Sequence, residues 1–300
     1  MASAKHWISA ARPRTLPLAL SGLALGNFIA AGHDSFEWSI CVFSILTATL
    51  LQVLSNYAND YGDYTNGADN DDRIGPARAV QSGAISESAM KKAIVLLSVL
   101  SLTSGILLLW SSRHNVSIPY LLLMLVLGLL AIGAAYKYTA SKNPYGYKGF
   151  GDIAVFAFFG LLAVMGVYYL QTGSMHLDAL YTAIAFGALS TGVLNLNNMR
   201  DIENDKAVGK ITIAVRLGLN NARKYHYLLV TMGALFFVLF AIMSYHYSYQ
   251  YLFLIPTALL LTHCVKVHKR DSYEGFNPLL KELALSSALI AIASGLGFIV

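Results

Sequence analysis

Half of the sixteen acidic residues of this chain lie in two short polar stretches, at positions 52–72 and 197–205. At 100° per residue, the polar side chains of each stretch fall within an arc of about 100° on one face of a helix. The members of these two stripes are Gln52, Asn56, Asn59, Asp60 and Asp63, and Asn197, Asn198, Asp201 and Asp205. Carboxylate and amide oxygens suit Mg²⁺, which proteins commonly hold together with the phosphates of a substrate. The two stripes are therefore predicted to hold Mg²⁺ between them.

Basic side chains close to both stripes could bind the phosphates of such a substrate. Arg73 and Arg78 follow the first stripe, and Lys210 and Arg216 follow the second. The fork of an Arg guanidinium matches phosphate oxygens. Carboxylates, Mg²⁺ and basic groups together suit a diphosphate leaving group, whose departure they would stabilise electrostatically. Three further acidic residues are interpreted as solvated loop charges, namely Asp71, Asp72 and Glu203.

The elements that must carry the two stripes are predicted to be membrane helices. The chain is 56% hydrophobic and only 12% charged, whereas soluble domains carry roughly a quarter charged residues. This composition excludes disorder, and the scatter of basic residues between apolar segments argues against nucleic-acid binding. Because a membrane helix needs about 20 apolar residues, we predict an all-α polytopic membrane protein. Its nine transmembrane helices are expected at about 15–33, 38–59, 90–112, 117–137, 151–171, 178–199, 225–246, 249–267 and 282–300.

The basic residues also predict how the spans are oriented. With the N-terminus in the cytoplasm, every Lys and Arg except Arg113 falls on the cytoplasmic side, as the positive-inside preference requires. The two long loops, at about 60–89 and 200–224, fall on the same side, and such loops commonly carry function. We therefore expect a protein of the cytoplasmic (inner) membrane, with the polar stripes facing the cytoplasm and the C-terminus outside.

The two stripes follow the second and the sixth predicted helix, which are four helices apart. This spacing predicts one transmembrane domain, residues 1–300, built from two four-helix halves. The halves would span about 1–148 and 149–270, with a last helix at about 282–300.

Several motifs resemble those of a known enzyme family. Two aspartate-rich segments resemble the paired motifs of the UbiA superfamily of intramembrane prenyltransferases, namely NDYGD (59–63) with Asp69 and Arg73, and DIENDKAVGK (201–210). Further segments are similar to the 1,4-dihydroxy-2-naphthoate polyprenyltransferase branch: ARPRTLP (11–17), RIGPARAVQSG (73–83), YGYKGFGD (145–152), and NNMRD (197–201) with AVRLG (214–218). The resemblance covers nearly the whole chain. Asn197 stands where the general second motif has its first aspartate.

This resemblance implies a nine-helix fold and Mg²⁺-dependent transfer of a polyprenyl group from polyprenyl diphosphate to 1,4-dihydroxy-2-naphthoate. Diphosphate and CO₂ would be lost, and the product would be demethylmenaquinone, an intermediate of menaquinone biosynthesis. The prenyl tail would lie among apolar helices and extend toward membrane lipid. No nucleic acid is expected as a partner.

The resemblance also implies roles for individual residues. The catalytic aspartates would be Asp60, Asp63, Asp201 and Asp205. Two Mg²⁺ ions would be held by these four with Asn56, Asn59, Asp69 and Asn197. Diphosphate oxygens would be bound by Arg73, Arg78, Lys137 and Lys210, and the carboxylate of the aromatic acceptor by a group among Arg12, Arg14, Lys148 and Arg216. The ring of Tyr138 could stabilise a cation.

Three other functions fit parts of the pattern. Another UbiA-type enzyme could use 4-hydroxybenzoate or homogentisate as acceptor. A CDP-alcohol phosphatidyltransferase is also an Asp-rich membrane enzyme, but its aspartates lie within one short stretch. A cation-coupled transporter could carry intramembrane carboxylates, but transporter sites usually lie near the membrane midplane, whereas these stripes lie at helix ends.

Overall fold

A computed structural model of the chain describes residues 2–69, 78–270 and 272–300. The predicted phosphate ligand Arg73 and the loop charges Asp71 and Asp72 lie outside the described residues. The longer helices are α1 (Ala4–Ala11), α2 (Leu16–Gly32), α3 (Trp38–Thr65), α4 (Glu87–Ser111), α5 (Ile118–Lys137), α6 (Gly151–Val155) continued by a π-helix (Phe156–Gly166) into α7 (Val167–Thr172), α8 (Leu177–Arg200), α9 (Ile202–Ala207), α10 (Ile213–Ser244), α11 (Leu254–His268) and α12 (Phe276–Ile299).

Nine helical segments within the described ranges are long and apolar enough to cross a membrane. The prediction of an all-α protein with nine membrane helices is confirmed, and the chain is a multi-pass membrane protein. Four boundaries differ from the predicted ones by about six residues or more. The first span begins at Ala4 rather than 15, and the second ends at Thr65 rather than 59. The seventh span begins at Ile213 rather than 225, and the ninth at Tyr273 rather than 282. Helix α10 is interrupted at Gly218, which has a φ of 69° and a ψ of 161°. Hydropathy missed the part before this break because it carries charge, although the Thr212 side chain caps it by accepting a hydrogen bond from Val215 N at 3.3 Å.

The bundle is organised around α8, most of whose residues are buried. It packs against α10, α12 and the π-helical segment, while α3 packs against α4 and α5. Small residues allow close approach of the backbones, as is common between membrane helices. A Cβ atom on Gly160 would lie only 2.7 Å from Cα of Gly187. The last helix, α12, also packs against α2, so it joins the two ends of the chain.

The helices α3 and α8 carry the two polar stripes. The first stripe lies on α3 as predicted, since this helix continues through Asp60 and Asp63 to Thr65. The prediction that the second stripe lies on one continuous helix is wrong. Helix α8 ends at Arg200, and Asp201 leaves the helical conformation with φ −99° and ψ 9° before α9 begins. Asp205 therefore lies on a separate short helix.

Gly62 allows α3 to lie directly against the segment that follows α5. A Cβ atom here would collide with the carbonyl carbon of Thr139 and would lie 2.5 Å from the backbone N of Ala140. We expect Gly62→Ala to lower the free energy of unfolding by about 1–3 kcal/mol, the usual cost of overpacking, and to lower activity because Asp60 and Asp63 flank it. Thermal unfolding in detergent and turnover would measure both effects. Gly133→Ala is the matched control, since a Cβ there meets no atom of the described residues within 4 Å, and it should be neutral or stabilising.

Candidate active site

The two aspartates at the end of α3 are buried and hydrogen-bonded. Asp60 accepts hydrogen bonds from the backbone N–H groups of Ala79 at 3.0 Å and Val80 at 2.9 Å. Asp63 accepts a hydrogen bond from the hydroxyl of Tyr147 at 2.9 Å. Asp60 thus anchors the chain beyond the first motif, and Asp63 anchors the connection between α5 and α6.

Arg78 lies between two carboxylates of the first motif. Its Nη2 is 3.9 Å from Oδ2 of Asp63, and its Nε is 3.6 Å from Oδ1 of Asp69. Asp69 is buried, and its backbone N–H donates to the carbonyl of Asp63 at 3.2 Å. The first motif therefore folds back on the end of α3 and brings one cation to its aspartates.

The two asparagines of the first stripe have protein partners that fix their orientation. The side-chain amide of Asn56 donates to the carbonyl of Ala11 at 2.8 Å and to Thr15 Oγ1 at 3.2 Å. Oδ1 of Asn59 accepts a hydrogen bond from Thr139 at 3.1 Å. These contacts hold the N-terminal segment and the end of α5 around the stripe.

The second motif meets the first around Tyr147. Nζ of Lys210 is 3.1 Å from Oδ1 of Asp205 and lies 5.5 Å from the centroid of the Tyr147 ring. The backbone N–H of Ile211 donates to the carbonyl of Tyr147 at 2.8 Å. Because the hydroxyl of the same tyrosine binds Asp63, one residue connects the two aspartate motifs. Positions that lie about 140 residues apart in the chain thus form one cluster.

A direct contact between the two motifs supports this arrangement. The side-chain amide of Asn204, on α9, donates to the carbonyl of Ala68 at 3.1 Å. Ala68 in turn donates its N–H to the carbonyl of Asp63 at 2.8 Å. The short helix α9 is therefore attached to the turn that ends the first motif.

Asp201 forms a buried ion pair with its neighbour Arg200. The guanidinium binds both carboxylate oxygens, with Nε–Oδ1 and Nη2–Oδ2 distances of 2.7 and 2.6 Å. It also donates to Oδ1 of Asn197 at 2.9 Å and to Oδ1 of Asn277 on α12 at 2.9 Å. Arg200 thus links two of the three predicted ligands of the second stripe, Asn197 and Asp201, to the last helix.

The electrostatics of the cluster follow from burial and crowding of like charge. Burial raises the pKa of Asp205 to about 6, Lys210 opposes the shift, and the nearby carboxylates of Asp201 and Asp63 add to it. Burial alone would lower the pKa of Lys210, but the attraction of Asp205 and Asp63 outweighs it and raises that pKa. Burial and the Asp63 charge also raise the pKa of Tyr147, which therefore remains a hydrogen-bond donor. Carboxylates of both motifs therefore lie close enough to raise the pKa of Asp205.

The unsatisfied atoms of the cluster show where a metal ion would fit. Oδ2 of Asp205 is buried and makes no hydrogen bond with the described part of the chain, although Oδ1 of the same carboxylate contacts Lys210. Oδ1 of Asn204 is likewise buried without a partner among the described residues. Such atoms are costly unless an ion or water satisfies them. Because both are hard oxygen donors, they fit Mg²⁺.

A cavity of about 380 Å³ begins beside the polar cluster. Its polar end is formed by Asn56, Asn59, Tyr138 and Tyr145, and most of the remaining lining is apolar. Ser44 also lines the cavity, so at 1.5 Å per residue it follows α3 for about 22 Å. A molecule with a charged head and a long apolar tail would fit this shape.

A sequence model of the UbiA prenyltransferase family matches residues 18–280. The chain belongs to this family. The 1,4-dihydroxy-2-naphthoate octaprenyltransferase of Haemophilus influenzae is 43% identical over 298 residues, which cover 99% of this chain and 96% of that relative. The enzyme of the same name from Escherichia coli is 40% identical over 291 residues, covering 97% and 94%. The predicted membership in the UbiA family and the prenyltransferase class are confirmed.

A solved UbiA structure has the same fold. The UbiA homolog from Archaeoglobus fulgidus bound to DMAPP and Mg²⁺ superposes with a TM-score of 0.65 at 19% identity, and the match covers 98% of this chain and 99% of that one. The predicted UbiA-type bundle is therefore confirmed.

The structure separates the predicted basic ligands of this UbiA protein into two groups. Arg78 and Lys210 lie in the aspartate cluster. Lys137, at the end of α5, is exposed. Lys148 and Arg216 are exposed too and contact each other, because Nη2 of Arg216 donates to the carbonyl of Lys148 at 2.7 Å. Their roles toward substrate stay predictions.

Arg12 and Arg14 lie on the N-terminal segment that Asn56 holds against α3. Arg12 has a φ of 51°, an uncommon conformation for a residue with a side chain. Arg14 is exposed, in the turn between α1 and α2.

Tyr138 lies at the polar end of the cavity with its ring centroid 5.3 Å from that of Tyr145. A role for Tyr138 in stabilising a cation stays a prediction.

Several residues that contact the cluster, Arg200 among them, were not among the predicted ligands. Tyr147 lies in the YGYKGFGD segment, so its motif was visible although its hydrogen bond to Asp63 was not. Thr139 donates to the carbonyl of Ala58 at 3.1 Å as well as to Asn59. Asn204 lies between two acidic neighbours in DIENDKAVGK. Thr139 had no signal in the sequence, because its role depends on the packing of α5 against α3.

Tyr147→Phe tests the link between the two motifs. A hydrogen bond to a charged acceptor contributes about 1.5–3 kcal/mol. We therefore expect kcat to fall by about 10- to 100-fold, since each 1.36 kcal/mol corresponds to a factor of about ten. Steady-state kinetics in detergent would measure the change. Tyr136→Phe, which removes an exposed hydroxyl near the end of α5, should leave kcat unchanged, and an equal loss in both variants would contradict the assigned role.

Proposed function

We propose that this protein transfers a polyprenyl group from polyprenyl diphosphate to 1,4-dihydroxy-2-naphthoate and thereby serves menaquinone biosynthesis. One observation carries the proposal: two buried aspartate motifs meet, through Tyr147, at the head of an apolar cavity. The acceptor is inferred from the names of relatives that are 40% and 43% identical over nearly their whole length.

The cluster is suited to the diphosphate end of the donor. Arg78 and Lys210 would bind its oxygens, and Asp63 and Asp205 orient these two cations from within the cluster. Mg²⁺, held by Asp60, Asp63, Asp69, Asp201 and Asp205 with Asn56, Asn59 and Asn197, would neutralise the diphosphate so that it leaves more easily. Asp205, whose second oxygen has no partner in the described chain, is the ligand with the best support.

The cavity would hold the reacting carbon and the tail. When the carbon–oxygen bond to diphosphate breaks, its electron pair leaves with the diphosphate and an allylic cation remains. The ring faces of Tyr138 and Tyr145, at the polar end of the cavity, can stabilise this cation. The apolar walls exclude water, so the electron-rich naphthol carbon attacks instead. Loss of CO₂ from that carbon returns an electron pair to the ring and restores its aromaticity.

The distribution of basic residues supports a cytoplasmic location for this end of the bundle, in the inner membrane. The tail would extend along the cavity toward lipid. Both the water-soluble acceptor and Mg²⁺ would then reach the site from the cytoplasm.

The experiment is an acceptor panel with the purified protein in lipid nanodiscs. Each reaction contains Mg²⁺, one polyprenyl diphosphate and one of three acceptors: 1,4-dihydroxy-2-naphthoate, 4-hydroxybenzoate or homogentisate. We expect prenylated product with the naphthoate only, loss of product with EDTA, and recovery with added Mg²⁺. Product with another acceptor alone would overturn the naphthoate assignment, and no product with any acceptor would overturn the proposed reaction.

A further inference from the structure

A second group of metal-ligating side chains lies at the opposite end of the bundle. Asp178 is in the first turn of α8, whereas the aspartate cluster lies beyond the last turn of the same helix. At 1.5 Å per residue, the distance from Asp178 to Arg200 along the axis is about 33 Å. His33, at the end of α2, and His176, just before α8, contact this carboxylate.

The three side chains converge on one point. Nε2 of His33 is 3.1 Å and Nδ1 of His176 is 2.8 Å from Oδ2 of Asp178, and all three ligand atoms lie within 4.8 Å of one another. Bonds of about 2.0–2.2 Å to a tetrahedral zinc ion would place its ligands about 3.3 Å apart. Two of the three separations, 3.1 and 2.8 Å, lie near this value, and the third, between the two histidines, is at most 4.8 Å.

Neighbouring groups already orient the outer atoms of two of these ligands. Nδ1 of His33 lies 2.7 Å from the hydroxyl of the buried Tyr168 on α7. Oδ1 of Asp178 accepts a hydrogen bond from Ser244, the last residue of α10. Metal-binding His and carboxylate ligands are generally held by such outer hydrogen bonds. With Oδ1 and Nδ1 held by other residues, Oδ2 of Asp178 and Nε2 of His33 face each other at 3.1 Å, and an ion bound between them would replace this direct contact.

The exposure of the two histidines leaves a path by which an ion can enter and space for a water ligand. Asp178 is buried, His33 is partly exposed, and the His176 side chain is 54% exposed. We propose that His33, His176 and Asp178 bind a divalent transition-metal ion of the zinc class, with water as a fourth ligand. Two imidazoles favour zinc over Mg²⁺, which prefers oxygen ligands, so this site is distinct from the aspartate cluster. The ion would connect α2, α8 and, through Ser244, α10.

The alternative is a purely hydrogen-bonded end cap. Nδ1 of His176 also lies 3.4 Å from the backbone N of Asp178, where it caps α8. This cap would need no metal, and a protein that uses the three residues only in this way would neither bind zinc nor gain stability from it.

The test measures metal binding rather than turnover. Protein stripped with EDTA and returned to buffer containing Mg²⁺ is titrated with Zn²⁺ by calorimetry and with Co²⁺ by visible absorption, where tetrahedral coordination gives intense bands. We expect one site, a higher thermal midpoint with Zn²⁺, and affinity at least about 10-fold weaker in His176→Gln. His114→Gln, which alters another exposed histidine, is the matched control and should bind as the unaltered protein does.

A second variant tests the outer hydrogen bond. Tyr168→Phe should weaken Zn²⁺ affinity by about 10-fold, because the orientation of His33 is lost. Unchanged binding in His176→Gln, or no Zn²⁺ binding by the unaltered protein, would overturn the proposal.

Discussion

Asp205→Asn is expected to lower kcat by about 100- to 1,000-fold, the range typical for removal of a group that stabilises charge in the transition state. Asparagine keeps the size of the side chain but removes the negative charge opposite Lys210. The substitution also removes the charged Oδ2, which has no partner in the described chain and is the best supported Mg²⁺ ligand. Mg²⁺ would then be bound more weakly. The apparent affinity for Mg²⁺ should therefore fall together with kcat, which a Mg²⁺ titration of the reaction rate would measure.

The control for this variant lies on the same short helix. Glu203 is exposed and accepts a hydrogen bond from the hydroxyl of Tyr273 at 2.9 Å. Glu203→Gln should leave both kcat and the Mg²⁺ dependence unchanged. Near-normal turnover in Asp205→Asn, with the same Mg²⁺ dependence, would remove Asp205 from the proposed site.

Asp201→Ala is expected to lower both stability and activity. Arg200 is 4% exposed, and its guanidinium binds both oxygens of Asp201. Removing the carboxylate leaves a buried charge without its counterion, which costs about 3–5 kcal/mol in the free energy of unfolding. Unfolding by heat or SDS in detergent micelles would measure the loss, and turnover should be abolished.

A double variant separates the two roles of Asp201. In Arg200→Met with Asp201→Ala, neither charge of this buried pair remains, so most of the stability should return. If Asp201 also binds Mg²⁺, the double variant stays inactive, as we expect. Recovery of turnover in the double variant would mean that Asp201 serves only to balance Arg200.

The sequence predicted the membrane helices and the first stripe because both depend on local pattern. Apolar runs of sufficient length define the spans, and helical spacing places Asn56, Asn59, Asp60 and Asp63 on α3. The meeting of the two motifs was also predicted, since opposed acidic stripes suggested shared cations. These features follow from neighbours along the chain and from charge.

Features that depend on tertiary contacts were not predictable in the same way. The end of α8 at Arg200 coincides with a hydrogen bond to Asn277, which is 77 residues away. The contact of Tyr147 with Asp63 spans 84 residues. The hydrophobic periodicity of the sequence does not indicate contacts between residues that are so far apart in the chain. The first part of α10, which the non-helical Gly218 separates from the rest of the helix, was missed because it carries charge at the membrane surface, where hydropathy no longer indicates a helix.

The packing of α12 against α2 has a consequence for how the protein is made. Gly295 on α12 lies so close to Phe28 on α2 that any larger residue there would collide with its ring. Phe28 and Gly295 are far apart in the sequence, and contacts of such sequence separation form late. Because α2 is synthesised before α12, it must enter the membrane before this contact can form, and its contacts with α3 can form first. Helices α3, α4 and α5, which pack on each other locally, can assemble earlier, so one wall of the cavity can exist before the bundle closes.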